Sequence, residues 1–191
     1  LELLAMNKDQ LPEGVKSLQL LREGVLDNKL MATEGILEET AGHLTDLGRV
    51  SGYMREFITS LPQAELSHGS VVAAASVVHL FTNESAVANW ITEVFLKRFT
   101  ERVGKTISPG QQLLSVDNLE MGKFHDLAAG IRAVQEGTFG VVSSRIIDFR
   151  LGRLLGVAST VTLGDGSRDS YTRSLAVDME RHIVKVILGS A

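Results

Sequence analysis

The sequence predicts a mostly α-helical protein, in which a helical bundle follows a long N-terminal helical arm or hairpin. Apolar residues between positions 44 and 61 recur at steps of three and four, which is the spacing of one helix face. Residues 86–103 carry a second apolar stripe, with opposite charges four residues apart. The chain has only three prolines, and few of its apolar runs alternate as half-buried strands do. These observations favour helices over sheet.

The N-terminal arm is predicted over residues 1–62. Leu30, Leu37 and Leu44 lie seven residues apart, as they would on one side of a long helix. Pro62 ends the pattern, because proline cannot continue the backbone hydrogen-bond ladder. The heptads are too imperfect and too rich in glycine for a free-standing coiled coil. We therefore expect either a hairpin packed within one subunit or an oligomer interface.

The alternative of an oligomer interface rests on small residues of the arm. Gly48 and Gly52 are four residues apart and would share a helix face, where the lack of side chains lets another backbone approach closely. Each glycine inside a helix costs about 1 kcal/mol relative to alanine, so a packing role would explain their presence. The predicted oligomer interface consists of Leu44, Leu47, Gly48, Val50, Gly52, Met54 and Phe57.

Residues 63–191 are predicted to form a compact helical domain. The cluster Thr82-Asn83-Glu84-Ser85 begins one of its helices, because Asn, Ser and Thr side chains can accept from unpaired backbone amides, and Gly104 ends that helix. In 139–163, two runs of β-branched residues leave one short β-hairpin as an alternative to a helix. The predicted helices of this domain cover residues 67–81, 86–103, 117–136, 143–155 and 169–188.

Composition and charge are those of a globular domain without a strong electrostatic preference. The 191 residues carry 19 basic and 23 acidic side chains, and residues 1–66 hold eleven of the acidic ones but six of the basic ones. Neither half has the basic surface typical of nucleic-acid-binding domains. The absence of cysteine excludes disulfides, thiol nucleophiles and thiolate metal sites. No uncharged run is long enough to span a bilayer and no signal peptide is visible, so we expect a cytoplasmic, intracellular location.

Two glycine-containing motifs resemble ligand loops, but each lacks a required residue. Gly104-Lys105-Thr106 matches the end of a phosphate-binding loop, whereas Phe99 stands where the first glycine is needed to wrap the phosphate. The loop 164–169 lacks the last glycine of a dinucleotide fingerprint, and the residues after it lack the glutamate of a calcium-binding EF-hand. We therefore predict no cofactor and no catalytic residue.

Histidine–carboxylate pairs are the remaining candidates for chemistry. Glu39 and His43 lie four residues apart, as do Asp178 and His182, which would place each pair on one helix face. Neither pair is accompanied by further ligands at a metal-binding spacing, so we predict no metal site. His43 nevertheless lies on an acidic helix, and this leaves a helical phosphotransfer or metal-binding domain as one alternative function.

Three arginines near the middle of the chain are candidates for contact with nucleic acid or another anion. Arg145, Arg150 and Arg153 could contact phosphates if the fold brings them to one surface. Acidic residues interrupt the group and no aromatic residue alternates with it. Ordinary solvated helix faces are therefore the competing interpretation.

The residues together favour a non-enzymatic, self-associating structural or scaffold protein that acts through protein–protein contacts, such as a component of a viral or cellular assembly. Its expected partner is a second copy of itself, and we expect no membrane span. The first alternative is a nucleic-acid-binding assembly protein of the nucleocapsid type, which would use the three arginines. The second alternative is the phosphotransfer or metal-binding domain that would use His43.

Overall fold

An antiparallel sheet is the centre of the fold in the computed structural model, which describes residues 1–34, 39–108, 110–122, 124, 126–137, 140–166 and 168–189. In chain order its strands are β1 (Gln19–Val25), β2 (Arg49–Ile58), β3 (Val71–Phe81), β4 (Thr106–Ser108), β5 (Gln111–Asn118), β6 (Ala128–Gly137), β7 (Gly140–Leu151) and β8 (Leu154–Leu163). They lie side by side in the order β1-β2-β3-β8-β7-β6-β5-β4. Every neighbouring pair is antiparallel.

Helices fill the longer connections and follow the last strand. They are α1 (Asn28–Glu34), α2 (Ala41–Asp46), α3 (Glu84–Asn89), α4 (Leu96–Thr100) and α5 (Asp169–Ile187). A π-helical stretch (Trp90–Phe95) joins α3 directly to α4, so the three form one continuous helix that we call the 84–100 helix. Short 3-10 turns occupy Glu2–Leu4, Lys8–Gln10 and Gln63–Glu65.

Two antiparallel meanders build the sheet. Strands β1 to β3 form the first meander, and strands β4 to β8 form the second. The 84–100 helix carries the chain from β3, inside the sheet, to β4 at the far edge. The second meander then returns strand by strand until β8 pairs with β3. The pairing of β3 with β8 therefore joins the two meanders into one continuous sheet.

The N-terminal segment and α5 cover one face of the sheet, which we call the α5 face. Leu175, Met179 and Ile183 of α5 are fully buried against it. Burying a side chain of this size stabilises the fold by about 1.5–3 kcal/mol. The strands contribute buried apolar residues to the same core, among them Phe57, Val78, Ile147, Phe149 and Ala158.

The 84–100 helix packs on the opposite face, which we call the Trp90 face. Its spacing of apolar residues explains the contact, because one stripe of the helix is buried along its length. The stripe consists of Val87, Trp90, Ile91, Val94, Phe95 and Phe99. It packs against Phe81, Leu113, Ile131 and Leu155 of the sheet.

The predicted all-α fold, with its helical bundle and long N-terminal helical arm, is wrong, because the fold is built on a β-sheet. Residues 44–61, predicted as one helix face, contain the end of α2 and all of β2. The steps of three and four residues arise because the end of a helix, α2, and a strand, β2, were interpreted as one continuous helix. Since β2 carries apolar side chains on both faces of the sheet, its two-residue period is hidden.

Three further predicted helices also contain strands. Residues 67–81, 117–136 and 143–155 correspond largely to β3, β6 and β7. Each of these strands carries apolar side chains on both faces of the sheet. A short apolar run of this kind cannot be told from a buried helix by its period alone. The alternative of a hairpin in 139–163 corresponds to β7 and β8, whose strands are longer than expected; residue 139 itself lies outside the described residues.

Two predicted helices are confirmed. The helix expected over 86–103 is the 84–100 helix, in which the Asn83 side chain accepts from the Ala86 amide at 2.9 Å. Gly104 follows with φ of +82°, a conformation suited to glycine after a helix. The last helix, expected over 169–188, is α5. Among the described residues, no helix is long and apolar enough to cross a membrane.

The domain boundary predicted at residue 62 falls in the connection between β2 and β3. These two strands are adjacent in the same sheet and pair over nine residues, from Arg49 with Phe81 to Ile58 with Ala73. Residues 1–62 therefore contribute two strands to the sheet that the rest of the chain completes. Leu37, which belongs to the predicted heptad, lies outside the described residues.

Candidate ligand-binding face

The 84–100 helix leaves part of the Trp90 face uncovered. On the adjacent strands β3, β8 and β7, side chains that point to this face are half-buried, whereas their sequence neighbours that point to the α5 face are mostly buried. The alternation follows from the two-residue period of a strand. We call the uncovered surface the open patch. It consists of Ala73, Ala75, Val77, Val142, Ser144, Ile146, Val157, Ser159 and Val161.

The open patch is made of small and β-branched side chains. Seven of its nine residues are Ala, Val or Ile, two are serines, and none can ionise near neutral pH. From Ala73 to Val77 it extends about 13 Å along the strands, and three strands span about 10 Å across them. A surface of this composition gains free energy by being covered.

An apolar cavity of about 340 Å³ lies at one end of the open patch. Ala73 and Val142 belong to both the patch and the cavity, so the two are continuous. Leu61 also lines the cavity and is 53% exposed, so the part of the cavity nearest to solvent is apolar as well. The other residues that line it include Ile58, Leu66, Val72 and Leu163.

At the other end of the patch, His79 of β3 and Arg49 of β2 form a buried pair. Nε and Nη2 of Arg49 lie 3.1 and 3.0 Å from Nδ1 of His79. The same guanidinium donates to the Asn28 side-chain oxygen and, at 2.6 Å, to the carbonyl oxygen of Leu26. Because these partners come from β3 and from the segment before α1, the pair ties the start of α1 to the sheet.

Gly52 provides the space for this pair. A Cβ atom at this position would lie 2.7 Å from Nη2 of Arg49 and 2.8 Å from Nδ1 of His79. Both distances are shorter than a van der Waals contact, and both atoms belong to buried groups. Position 52 must therefore be glycine for the side chains of Arg49 and His79 to lie this close to the backbone of β2.

The contact with Arg49 determines the tautomer of His79. A guanidinium only donates hydrogen bonds, so Nδ1 of His79 must accept, and the proton of the neutral ring must be on Nε2. Burial, and then the positive charge of Arg49, hold the pKa of His79 well below its usual 6.5. Burial lowers the pKa of Arg49 to about 10, with Asp27 acting in the opposite direction. At neutral pH the pair is therefore a neutral histidine beside a charged arginine.

Asp148 of β7 is a buried acid beneath the 84–100 helix. Nε1 of Trp90 donates to its Oδ2 at 3.2 Å. Burial raises the pKa of Asp148 to about 8, and the hydrogen bond from Trp90 only partly offsets this. The register places it between Ala129 of β6 and Val157 of the open patch. A protonated carboxyl group at this position satisfies the indole N–H without leaving a charge in the core.

The structure distributes the predicted interface residues over several surfaces. Leu44 is fully buried in α2 against the Trp90-face core, and Phe57 is buried on the α5 face. Met54 points to the Trp90 face, where it lines a second cavity, while Val50 is half exposed. Leu47 and Gly48 lie in the turn before β2, and Gly52 lies within the strand. The helix face expected to hold all seven does not exist, while self-association itself stays a prediction.

The three candidate arginines do not form one patch. Arg145 is fully buried on the α5 face, where Nε lies 2.5 Å from the Asp169 carboxylate at the start of α5. Arg150 points to the opposite face and donates twice, at 2.7 Å, to Asp126. Arg153 is exposed in the turn between β7 and β8. Nucleic-acid binding stays a prediction, but these residues share no surface.

The predicted histidine pairs have separate environments. His43 lies 3.3 Å from Glu39, as the four-residue spacing predicts, and Arg98 of α4 contacts the other oxygen of Glu39 at 3.1 Å. His182 instead contacts the N-terminal segment, with Nε2 2.9 Å from the carbonyl oxygen of Leu3. Among the described residues, no group of three or more metal-ligating side chains comes together.

Sequence reasoning missed Arg49, His79 and Asp148. The available signal was a polar residue inside an apolar run, since His79 follows Val77-Val78 and Asp148 follows Ile146-Ile147. In a helix such a residue could turn to solvent, whereas in a strand covered on both sides it must be buried. The fold class therefore had to be known before these residues could be recognised.

Comparison with solved structures shows the same fold in the extracellular domain of PknH from Mycobacterium tuberculosis. The TM-score is 0.65 at 10% sequence identity, over 97% of this chain and 95% of that chain. An uncharacterized protein from Mycobacterium smegmatis gives a TM-score of 0.43 at 9% identity, over 87% of each chain, which is too low to support an argument. No protein-family model matches the chain. No curated protein matches it in sequence.

Proposed function

We propose that this chain is a non-catalytic binding domain whose open patch holds an elongated apolar ligand, such as an acyl chain. The observation that supports the proposal is the continuous apolar surface that crosses three strands and ends in the 340 Å³ cavity. Covering exposed apolar area contributes roughly 25 cal/mol per Å², so a ligand that follows the patch would gain free energy along its whole length.

The chemistry of the patch supports binding rather than catalysis. Its side chains are apolar apart from two serines, so the surface can exclude water but has no acid or base to transfer a proton. Three titratable groups border the patch: His79 and Asp148 are buried and held in their neutral forms, and Glu56, which lies opposite Ala75, is ion-paired with Arg22. The PknH domain of similar fold is extracellular, whereas the sequence predicted an intracellular location; the location of this chain stays a prediction.

Titration with an uncharged fluorescent apolar probe, N-phenyl-1-naphthylamine, tests the proposal. We expect a saturable rise in fluorescence with the wild-type protein. Val161→Lys places a charge in the middle of the patch and should weaken binding by at least about tenfold, because ligand binding would desolvate the ammonium group. The matched control is Val103→Lys, at a position that is 43% exposed beyond α4.

The result that would contradict the proposal is equally specific. If the wild type shows no saturable binding, the open patch is not a ligand site. If Val161→Lys and Val103→Lys bind the probe equally well, the probe occupies another surface. Circular dichroism spectra should match the wild type for both variants, which ensures that a loss of binding is not a loss of fold.

Self-association is a second candidate function, favoured by the edge strand β1. This strand is the first in the sheet order, and in the described residues no strand pairs with its outer side. Leu20, Leu21 and Val25 are 46%, 57% and 64% exposed. An exposed edge strand with apolar side chains is a template for pairing with another chain. A second copy could therefore extend the sheet, which would retain the structural role predicted from the sequence through a different surface.

Mass in solution over a hundredfold range of concentration tests self-association. We expect a dimer that Val25→Pro abolishes, because proline removes a backbone donor and disfavours strand pairing. A protein that stays monomeric at the highest concentration would exclude the edge-strand model.

A further inference from the structure

A second cavity, of about 180 Å³, lies between α1 and strands β1 to β3. Leu26, Met31, Met54 and Val77 form an apolar wall, and His79 also lines the space. Because Val77 belongs to the open patch, this cavity lies at the opposite end of the patch from the larger one.

The most exposed part of this cavity carries one ion pair. Arg22 donates to Glu56 through Nε at 2.5 Å and through Nη2 at 3.1 Å. Their side chains are 44% and 31% exposed, whereas His79 is 4% exposed. Because its two members are far more exposed than His79, the ion pair forms the rim of the cavity and His79 forms its floor.

The floor presents a single hydrogen-bond donor. Nδ1 of His79 is occupied by Arg49, so the proton is on Nε2, on the opposite side of the ring. Among the described residues, the side-chain hydrogen bonds of His79 are those with Arg49, which leaves Nε2 for a partner in the cavity that His79 lines. In a largely apolar cavity a hydrogen bond from this donor is stronger than in water, so an incoming acceptor would gain free energy there.

A buried positive charge lies directly behind this donor. The hydrogen-bond partners of Arg49 are neutral: the His79 ring, the Asn28 side chain and the Leu26 carbonyl. Asp27, the acidic residue that interacts with Arg49, is exposed, and its carboxylate accepts from the Leu30 amide. Water screens that exposed charge more than it screens the buried guanidinium. The floor of the cavity is therefore electropositive.

We propose that this cavity binds a carboxylate group, with one oxygen accepting from Nε2 of His79 and the adjoining carbons packing against Leu26, Met31, Met54 and Val77. Two sources share this chemistry. The carboxylate can be the head group of a long-chain ligand on the open patch, in which case the inference rests on the proposed function. It can also belong to a free short-chain acid, in which case the inference stands by itself.

The volume of the cavity selects the probe. About 30 Å³ is the share of one water molecule in the liquid, so 180 Å³ holds roughly six groups of that size. The butanoate ion, added as its sodium salt, has six non-hydrogen atoms. Butanamide has the same shape and also accepts a hydrogen bond, but it carries no charge. Comparing butanoate with butanamide therefore separates recognition of the negative charge from simple filling of the cavity.

Methyl NMR of protein labelled with 13C at its methionine methyl groups is the test. At pH 7 we expect butanoate to shift the signals of Met31 and Met54 saturably, and to leave those of Met6 and Met179, which are buried on the α5 face, unchanged. Butanamide should bind at least about tenfold more weakly. His79→Leu, which removes the donor, should weaken butanoate binding by a similar factor, with the unchanged Met6 and Met179 signals showing that the variant is folded.

Dodecanoate distinguishes the two sources. If it shifts Met31 and Met54 and also displaces N-phenyl-1-naphthylamine, the carboxylate is the head of the ligand on the patch. If butanoate shifts these signals but dodecanoate does not displace the dye, the site takes a free short-chain acid. If neither acid shifts Met31 and Met54, or butanamide binds as tightly as butanoate, the inference is overturned. Whether N-phenyl-1-naphthylamine itself binds to the protein tests the proposed function independently of the two acids.

Discussion

At the scale of single residues, burial changes the acid–base chemistry of Asp148. A carboxyl group with a raised pKa keeps its proton in the folded state while the unfolded chain loses it. Between the ordinary pKa of 3.8 and about 8, the folded state therefore binds more protons, and the free energy of unfolding falls as pH rises. The slope from this one group is at most about 1.4 kcal/mol per pH unit.

Asp148→Asn removes that dependence. Its side-chain oxygen can still accept from Trp90, and no ionisation remains to be suppressed. We expect the variant to gain stability relative to the wild type on the order of 1 kcal/mol for each pH unit from 5 to 7, measured by urea unfolding. Asp165→Asn, at an exposed position, is the control. Parallel curves for the wild type and Asp148→Asn would mean that Asp148 is ionised in the folded protein.

His79 changes the pH dependence of the free energy of unfolding in the opposite direction. Its pKa in the folded state lies well below the usual 6.5, so the unfolded chain binds more protons as pH falls below 6.5, and stability is lost there. Just below pH 6.5 the contributions of His79 and Asp148 therefore offset each other. Above pH 6.5 only the decline from Asp148 remains.

Gly52 is the second residue at which the structure makes a sharp prediction. Gly52→Ala would place a Cβ within 2.8 Å of both Arg49 and His79, so we expect a loss of roughly 2 kcal/mol or more in the free energy of unfolding. The matched control is Gly42→Ala in α2, where the nearest atom is 4.0 Å away and alanine should stabilise the helix by up to about 1 kcal/mol. Equal effects at the two positions would show that Arg49 and His79 do not lie over Gly52.

At the scale of elements, helices were predictable and strands were not. The 84–100 helix and α5 each have one apolar stripe, a polar opposite side and a clear start or end signal. Strands β3, β6 and β7 carry apolar side chains on both faces of the sheet, so their apolar residues show no strict alternation. The run Ala73 to Ala75 adds residues with high helix propensity to a strand, and tertiary packing overrides that preference.

The candidate site was unpredictable for the same reason. The open patch is defined by which side chains alternate between the two faces of β3, β7 and β8, and a helical interpretation of these segments mixes the two sets. Gly48 and Gly52 were noticed as small residues with a packing role. Their partners are side chains within the same chain rather than a second backbone: Thr82 and Ala86 at Gly48, and Arg49 and His79 at Gly52.

The start of the 84–100 helix gives a prediction at this scale. Asn83→Ala removes the side chain that accepts from the Ala86 amide, and we expect a loss of about 1 kcal/mol in the free energy of unfolding. Asn89→Ala changes the same residue type at an exposed position inside the helix, where alanine should be neutral or slightly stabilising. A smaller loss for Asn83→Ala than for Asn89→Ala would contradict the assigned helix start.

At the scale of the whole molecule, the two faces of the sheet are covered unequally. The α5 face is closed by one long helix and the N-terminal segment, whereas the 84–100 helix covers only part of the other face. This asymmetry leaves an apolar surface with a cavity at each end, one apolar and one with an electropositive floor. The account of function therefore depends on one claim, that the uncovered surface is where ligand binds.

Methyl NMR of protein labelled at its alanine and valine methyl groups, titrated with N-phenyl-1-naphthylamine, tests this claim most directly. Consecutive residues of β3 point to opposite faces of the sheet, so the strand contains its own control. The account predicts saturable shifts for Ala73, Ala75 and Val77, and unchanged signals for Ala74 and Val78 on the α5 face. Shifts confined to Ala74 and Val78, or no saturable shift on β3, would contradict it.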